Sequence, residues 1–574
     1  MINSSRKNLD SIFTNTLVIL TVLYVVLFFY RIGSTGLIDV DEPRYAEAGR
    51  EMLESGNWIV PQFNYEVRYD KPVFFYWVEA LSMKVFGVNE FAARFPSVLL
   101  SLLCCAVTFL FLRTFYELRS ALFGTLVLMS SLEFTALSRF SITDMTFCSL
   151  ISASVFSFYL GYNQIINSHR VFKFQIEKFT GWYIAGFIFL ALAVLTKGPA
   201  SVLILGMIFL PFFLWTEKLE YAYKNKSFWI GFLLFFIVIL PWYILVHLKT
   251  VGEFTKVFFG LHNLSRYTSV VSGHKGSFFY FIPVVLLGFL PWTFFLFQAI
   301  AEILKTGLKS LLVSPKEGVP WFCLWWFLVV FLFFSFSKTK LLTYILPLFP
   351  ALAVIITFYF DQIFKNKIST VGLTVGLSVF FVFLAVALYI CFFKFNLILP
   401  REVKDLNLGF LILLFAFLLL VGIAMAFASS YQNEKLTVSI VLITFFLFYS
   451  SLVTFLLPKI DRYSQAMLRT FAKKTPKNVT IATYKIIKPS LIFYSKRKVI
   501  QYDSLEDIQE HLNGSEKFAF VAKRKLLEGV ELNNSYVWGK NNRYIFITNR
   551  TCASEDKVTP GASPRSARRS GQER

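Results

Sequence analysis

The sequence predicts a polytopic α-helical membrane protein carrying a small C-terminal α/β domain. Three observations lead there. Apolar runs of about twenty residues, the length a helix needs to cross the hydrocarbon core, recur along most of the 574-residue chain. Hydrophobic residues make up 56% of the sequence and charged residues only 16%, a balance foreign to soluble domains. After Pro458 the long apolar runs stop and short alternating segments replace them.

The spans follow in order. Arg6 and Lys7 precede an apolar run from Phe13 to Tyr30, and no small-residue cleavage site follows it. The run therefore reads as an uncleaved first span rather than a signal peptide. About thirteen helices are expected, near residues 11–30, 92–113, 120–138, 143–162, 181–196, 199–215, 227–248, 277–301, 320–336, 342–361, 370–394, 407–429 and 437–457. The transmembrane domain is thus 1–458, with 31–91 as its first long loop. Residues 459–550 form the α/β domain, in which Val479–Ala482, Leu491–Tyr494, Phe518–Val521 and Tyr544–Ile547 read as strands. Residues 551–574, rich in Ser, Gly, Pro and Arg, read as a disordered tail or a vector-derived remnant.

Sidedness comes from the short loops. With the N-terminus inside, the cytoplasmic loops hold Arg170, Lys173, Lys178, Lys218, Lys224, Lys226, Lys305, Lys309, Lys316, Lys365, Lys367 and Lys435, a consistent basic bias. The outer loops carry basic residues too, but they are longer and richer in carboxylates. Every polar constellation then falls on the outer side: 39–94, Ser138–Asp144, Leu195–Pro199, 252–276 and Ser337–Tyr344. An odd number of spans puts the α/β domain on the same side. The net charge of +22 fits basic flanks meeting anionic headgroups. No basic-aromatic module of a nucleic-acid binder is present. Six cysteines form no disulfide framework.

Chemistry concentrates in the first outer loop. Ile38-Asp39-Val40-Asp41-Glu42-Pro43-Arg44-Tyr45 places three carboxylates and an arginine directly after the first span. Ionised groups beside lipid point to chemistry or a charged ligand. A carboxylate can take a proton from an acceptor or hold the acceptor in line, which makes Asp41 and Glu42 catalytic candidates. Arg44 offers a bidentate fork for phosphate. The competing explanation is a helix start, where acidic residues favour the dipole and Pro43 suits the first turn; Ala46–Leu53 does read as a short amphipathic helix. Capping accounts for Glu42 better than for Asp41.

Further along, Tyr69-Asp70-Lys71-Pro72 puts a point charge for a phosphate oxygen ahead of an interfacial aromatic run, Val73–Trp77. The alternative there is a simple salt bridge. Asp144 opens a span and is either catalytic or a helix-start carboxylate. His262, in His262-Asn263-Leu264-Ser265-Arg266-Tyr267, could pair with Asp70 on a divalent cation, although two ligands from distant loops are a weak metal signal. Lys338 and Lys340 either snorkel or complete a cationic pocket with Tyr344. Walker loops, dinucleotide fingerprints, zinc-type Cys/His spacings and serine elbows are absent from the sequence.

Taken in order, Asp41–Glu47, Asp70-Lys71-Pro72 with Tyr76-Trp77, Thr143-Asp144-Met145, Thr196–Pro199, His262–Tyr267 and Lys338–Pro347 resemble the bacterial aminoarabinose transferases that modify lipid A. Those enzymes sit in the protein O-mannosyltransferase-like superfamily with the GT-C fold. The likeness covers about residues 10–460. It implies an inner-membrane enzyme with its active site facing the periplasm. The enzyme would take a sugar from a polyprenyl-phosphate donor to lipid A or another outer-leaflet glycolipid, with inversion and with no cofactor beyond a divalent metal ion as an open option. It implies Asp41, Glu42 and Asp144 as catalytic, Arg44, Lys71, Arg266 and Lys340 at the donor phosphate, and Tyr45, Tyr69, Lys338 and Tyr344 on substrate. It implies membrane lipids as surroundings, a monomer, and no nucleic acid. Two departures leave the sugar open between 4-amino-4-deoxy-L-arabinose and relatives such as galacturonic acid. Asp70 stands where the family often has Glu, and Leu342 where it often has Pro. A protein O-mannosyltransferase-type enzyme and a lipid-linked sugar flippase are the alternative readings.

Overall fold

The computed structural model describes residues 2–171, 179–270, 276–369, 371–372, 375–376, 379 and 433–549. The expected spans at 370–394 and 407–429, the tail from 551, and the basic residues Lys173 and Lys178 lie outside the described residues. Among the described residues, seven helices are long and apolar enough to cross a membrane: Asp10–Phe29, Glu90–Phe115, Thr143–Asn167, Lys226–Lys249, Pro315–Phe336, Leu342–Phe364 and Glu434–Arg462. Three shorter apolar helices, Leu118–Ser130, Gly181–Lys197 and Ala200–Thr216, fill the positions expected for further spans. The protein is a multi-pass helical membrane protein.

One expected helix is not continuous. Residues 277–301 form two pieces, Phe278–Gly288 and Thr293–Thr306, bent by 108°. Pro291 sits in the break, where a residue lacking an amide hydrogen and restricting its predecessor cannot continue a helix. The expected helix 120–138 is also divided, at Ser131, into Leu118–Ser130 and Leu132–Leu137.

Two compact units make up the chain. The first comprises Met1–Thr35, Met52–Pro61 and Val67–Pro458. At its centre runs Thr143–Asn167, buried on all sides. This helix is the least apolar of the spans and carries Ser149, Ser152, Ser154 and Ser157. Small polar residues suit a helix surrounded by protein rather than lipid. Ser154 donates to the Gly186 carbonyl at 2.8 Å. Gly161 lies against the Tyr183 ring and Gly186 against the Phe158 ring, so each missing Cβ lets these two helices close up. Two buried arginines tie off the first span. Arg139 donates to the carbonyls of Leu27, Phe28 and Tyr30 at 2.5, 3.1 and 2.5 Å, satisfying a helix C-terminus. Arg94 does the same for Ile32 at 2.7 Å and Thr35 at 3.0 Å.

The second unit joins Gly36–Glu51 and Gln62–Glu66 to the chain from Lys459. Its core is a five-stranded sheet: β1 (Thr480–Tyr484), β2 (Val499–Tyr502), β3 (Phe518–Lys523), β4 (Ser535–Lys540) and β5 (Tyr544–Asn549), in the order β2-β1-β3-β5-β4. The first three are mutually parallel, and β5 and β4 add antiparallel. Ala482, Phe520, Ile508, Leu512 and Ile547 pack its core. Leu491–Tyr494, expected as a strand, belongs instead to the helix Pro489–Ser495. An unbroken apolar run has no periodicity to separate strand from buried helix, and Pro489 at the first helical position decides it. Strands β2 and β4 carry too many exposed or polar residues to stand out in the sequence.

Candidate active site

The first unit holds an open cavity of about 490 Å³, a size suited to a small-molecule group. Four loops that are far apart in sequence reach it. Lys71 comes from the first loop, Lys197 and Pro199 from the end of Gly181–Lys197, and His262 and Tyr267 from the 252–270 segment. Ser337 and Tyr344 come from the turn after Pro315–Phe336. Phe147, Phe259, Phe333 and Phe334 wall it.

Lys197 is the side chain that sequence reasoning left without a role. It ends a helix, where a cation meets the negative end of the dipole. Asp144 begins the neighbouring central helix, where a carboxylate is favoured. The two helices are antiparallel, so both charges arrive at the same end and pair at 2.6 Å, each side chain about one-seventh exposed. Gly198, at φ 83°, then reverses the chain. The Lys197 ammonium also lies 5.0 Å from the Phe147 ring centre and 5.5 Å from that of Tyr344. Its only signal in the sequence is a lysine immediately before Gly-Pro at a span end. Asp144, read as catalytic, is here the counter-ion of Lys197.

Asp70 and its neighbours are ordered by a second residue that the sequence did not single out. Arg68 donates to both Asp70 oxygens, at 2.5 and 2.9 Å, and stacks over the Tyr76 ring. Burial pushes the Asp70 carboxyl up, but Arg68, with Lys71 and His262 behind it, wins and holds it well below the usual range. The proposed Asp70–His262 metal pair does not fit. Arg68 engages both oxygens, and among the described residues no third His, Cys, Asp or Glu joins them. Tyr69, expected on substrate, donates to Glu253 at 2.8 Å.

Lys340 is a correction. Its three ammonium hydrogens point to the carbonyls of Phe334, Ser335 and Ser337 at 3.3, 2.7 and 2.8 Å, and the residue is buried. An ammonium has three donors, so these carbonyls take all of them. Lys340 caps the end of Pro315–Phe336 rather than a phosphate. Lys340→Met is expected to cost about 1–3 kcal/mol of stability, from carbonyls left unsatisfied. Donor KM should not move; thermal unfolding and donor kinetics check both. Lys338 is exposed, and its amide donates to the Tyr267 carbonyl. The Arg266 side chain lies outside the described residues.

The remaining candidates lie in the second unit. The helix Asp41–Ser55 carries Asp41 exposed at its start. Glu42 is buried and accepts the Ile38 amide at 2.8 Å, a local helix-start contact, so its place is structural rather than catalytic. Arg44 lies 5.8 Å from the Phe63 ring centre, and Tyr45 is buried. On the same helix Arg50 grips Glu47 through two 2.8 Å bonds. Burial, then Glu47, pushes the nearby Glu51 up to about 8. A carboxyl raised in this way adds stability below its unfolded value of about 4.3 and loses it as pH rises through the folded value. Glu51→Gln is therefore expected to flatten the fall in thermal stability over that window, measured by unfolding across pH.

Two half-buried lysines, Lys71 and Lys197, set among apolar walls in a polytopic helical frame, make this a membrane protein with a site suited to an anionic group on an apolar molecule. Comparison with known proteins narrows this. Residues 14–257 match the family described as dolichyl-phosphate-mannose-protein mannosyltransferase. The chain is 31% identical over 392 residues to an undecaprenyl phosphate-alpha-4-amino-4-deoxy-L-arabinose arabinosyl transferase of Shewanella sediminis, covering 68% of each chain. It is 31% identical over 362 residues to such a transferase of Proteus mirabilis, 62% of each chain. Its structure superposes on a crystal structure of ArnT from Cupriavidus metallidurans, bound to undecaprenyl phosphate, with a TM-score of 0.77. That likeness of fold covers 93% of this chain and 98% of the other at 21% identity. The chain belongs to the aminoarabinose transferase family of GT-C glycosyltransferases.

Proposed function

We propose that this protein moves a sugar, 4-amino-4-deoxy-L-arabinose or a related pyranose, from a polyprenyl-phosphate donor to lipid A or a similar glycolipid of the outer leaflet, working on the periplasmic side of the inner membrane. The observation that carries this reading is the cavity itself, with Lys71 and Lys197 set among phenylalanine walls. A phosphate on an apolar lipid asks for that combination: fixed cations for the head and greasy surface for what is attached to it.

In this reaction the acceptor oxygen bonds to the anomeric carbon while the bond from that carbon to the phosphate oxygen breaks. The electron pair leaves with the lipid phosphate. Lys71 and Lys197 stabilise the charge that develops there, better than water does in a partly dry cavity. Attack from the face opposite the leaving group inverts the anomeric centre. An acceptor phosphate is already ionised near neutral pH, and Asp41 then orients it. An acceptor hydroxyl gives its proton to Asp41.

The charged groups favour an enzyme over a flippase. Asp144 sits in the first turn of its helix and Lys197 in the last turn of its own, at span ends rather than in broken helices at mid-membrane. The test is mass spectrometry of lipid A from cells that make the chain and supply the donor. A sugar increment on lipid A is expected, and its size gives the sugar class. A properly inserted protein with no increment on lipid A, and with sugar on protein instead, would overturn the acceptor assignment.

A further inference from the structure

The loop that leads into Asp41 is bonded to the C-terminal α/β chain at Gly36, Leu37 and Asp39, all within the second unit. The Gly36 amide donates to Asp461 at 3.1 Å. Asp461 is itself gripped by Arg469 at 2.9 and 3.2 Å. The Leu37 amide donates to the Tyr494 hydroxyl at 2.9 Å, and the Tyr494 ring centre lies 5.9 Å from the Arg469 guanidinium and 5.1 Å from the Lys473 ammonium. Asp39 accepts from the Ser490 amide at 2.9 Å and the Ser490 hydroxyl at 2.7 Å, with Lys488 at 3.5 Å. Its side chain is 5% exposed, which removes it from any direct role on a bulky substrate. Glu42 closes the turn onto the Ile38 amide. The one carboxylate of this stretch left exposed is Asp41.

An Asp beside a helix start is commonplace, and one such bond would mean little. Here three anchors in four residues come from positions more than 400 residues later, two of them through backbone amides of the loop and one through a side chain. Gly36 is tied in by shape as well: a Cβ there would lie on the Arg469 guanidinium and on Asp461. Such bonding fixes the direction in which the next helix starts, and so the place of its first side chain. Solvation of the α/β domain needs none of it.

We propose that Asp39, Tyr494 and Asp461 are positioning residues for the transfer reaction, and that the C-terminal domain serves as the scaffold that holds Asp41 in its working geometry. This rests on the reading of Asp41 as the acceptor-side carboxylate. A misplacement of about 1 Å at a reacting group can cost about 10²-fold in rate.

The experiment compares Tyr494→Phe, Asp39→Ala and Gly36→Ala in the full-length protein in detergent, with donor and lipid A, against Lys498→Ala. Lys498 belongs to an exposed ion pair with Glu66 on the same unit and serves as the control. Losses of about 10–10² in kcat with donor KM unchanged are expected for the three, and none for the control. Combined with Asp41→Asn, each should add little further loss, since both changes remove the same contribution. Tyr494→Phe removes a single hydroxyl and carries the measurement if Asp39→Ala does not fold. Wild-type kcat in Tyr494→Phe and Asp39→Ala, with Asp41→Asn inactive, would overturn the positioning role alone. Full multiplicative loss on top of Asp41→Asn would also overturn it. Wild-type turnover in Asp41→Asn would instead remove the reading beneath it, and the inference with it.

Discussion

Replacing Asp41 by asparagine is expected to lower sugar transfer by about 10²–10⁴, the usual effect of losing a group that moves or orients a proton. Membrane insertion and thermal unfolding should stay as in the wild type. The structure gives the reason for both halves. Asp39 is locked by Ser490, and Glu42 is buried on the Ile38 amide. Asp41 is exposed at the first position of its helix. Asparagine keeps the shape and can still serve a helix start, so little stability is lost. The neighbouring Glu42→Gln should behave in the opposite sense, with weakened stability and smaller kinetic loss. Donor turnover in detergent, lipid A mass spectrometry and unfolding midpoints together read this out. Near wild-type turnover in Asp41→Asn would sink the role.

Lys197→Ala is expected to be damaging twice over. Losing a fixed cation aimed at developing charge typically costs about 10²–10³ in rate. It also leaves Asp144 mostly buried with its partner gone, and breaking a buried pair from one side typically costs about 3–5 kcal/mol. With one-seventh of each side chain exposed, the lower end of that range is the better expectation. The two effects separate cleanly. A Lys197→Met/Asp144→Asn double variant removes both charges and should regain much of the stability but none of the activity. Lys71→Ala should lose donor binding and rate with little change in unfolding, because Lys71 is on a loop rather than in a central helix pair. Donor kinetics beside unfolding midpoints decide it. Unchanged donor kinetics in Lys197→Ala would move the phosphate elsewhere.

Much of the fold was legible because the bilayer imposes a length and a composition that a single sequence displays directly. The spans at 11–30, 92–113, 143–162 and 227–248 coincide with helices found within a few residues. Where the rule failed, local chemistry outweighed hydropathy. Pro291 divides a run that is apolar throughout, and Pro489 makes a helix of Leu491–Tyr494. The site was legible as a set of motifs, and Lys71, His262 and Tyr344 do come to one cavity. Their roles were less so. Lys340 looks like a phosphate ligand in a string of letters, yet three carbonyls receive it. Asp70 looks like a metal ligand, yet Arg68, two residues earlier, occupies it.

The sequence by itself determined that this is a multi-pass helical membrane protein, and which loops carry its charges. Those properties follow from runs of neighbouring residues and from the cost of polar groups in hydrocarbon. Only the tertiary structure decided which charges are already spoken for. Lys197 with Asp144, Arg68 with Asp70 and Asp39 with Ser490 are pairings of short range in space. Two of the three join residues far apart in the chain, where no periodicity records them. An ionised side chain is free to act on a substrate only if folding has not given it a nearer partner, and that is settled by distance.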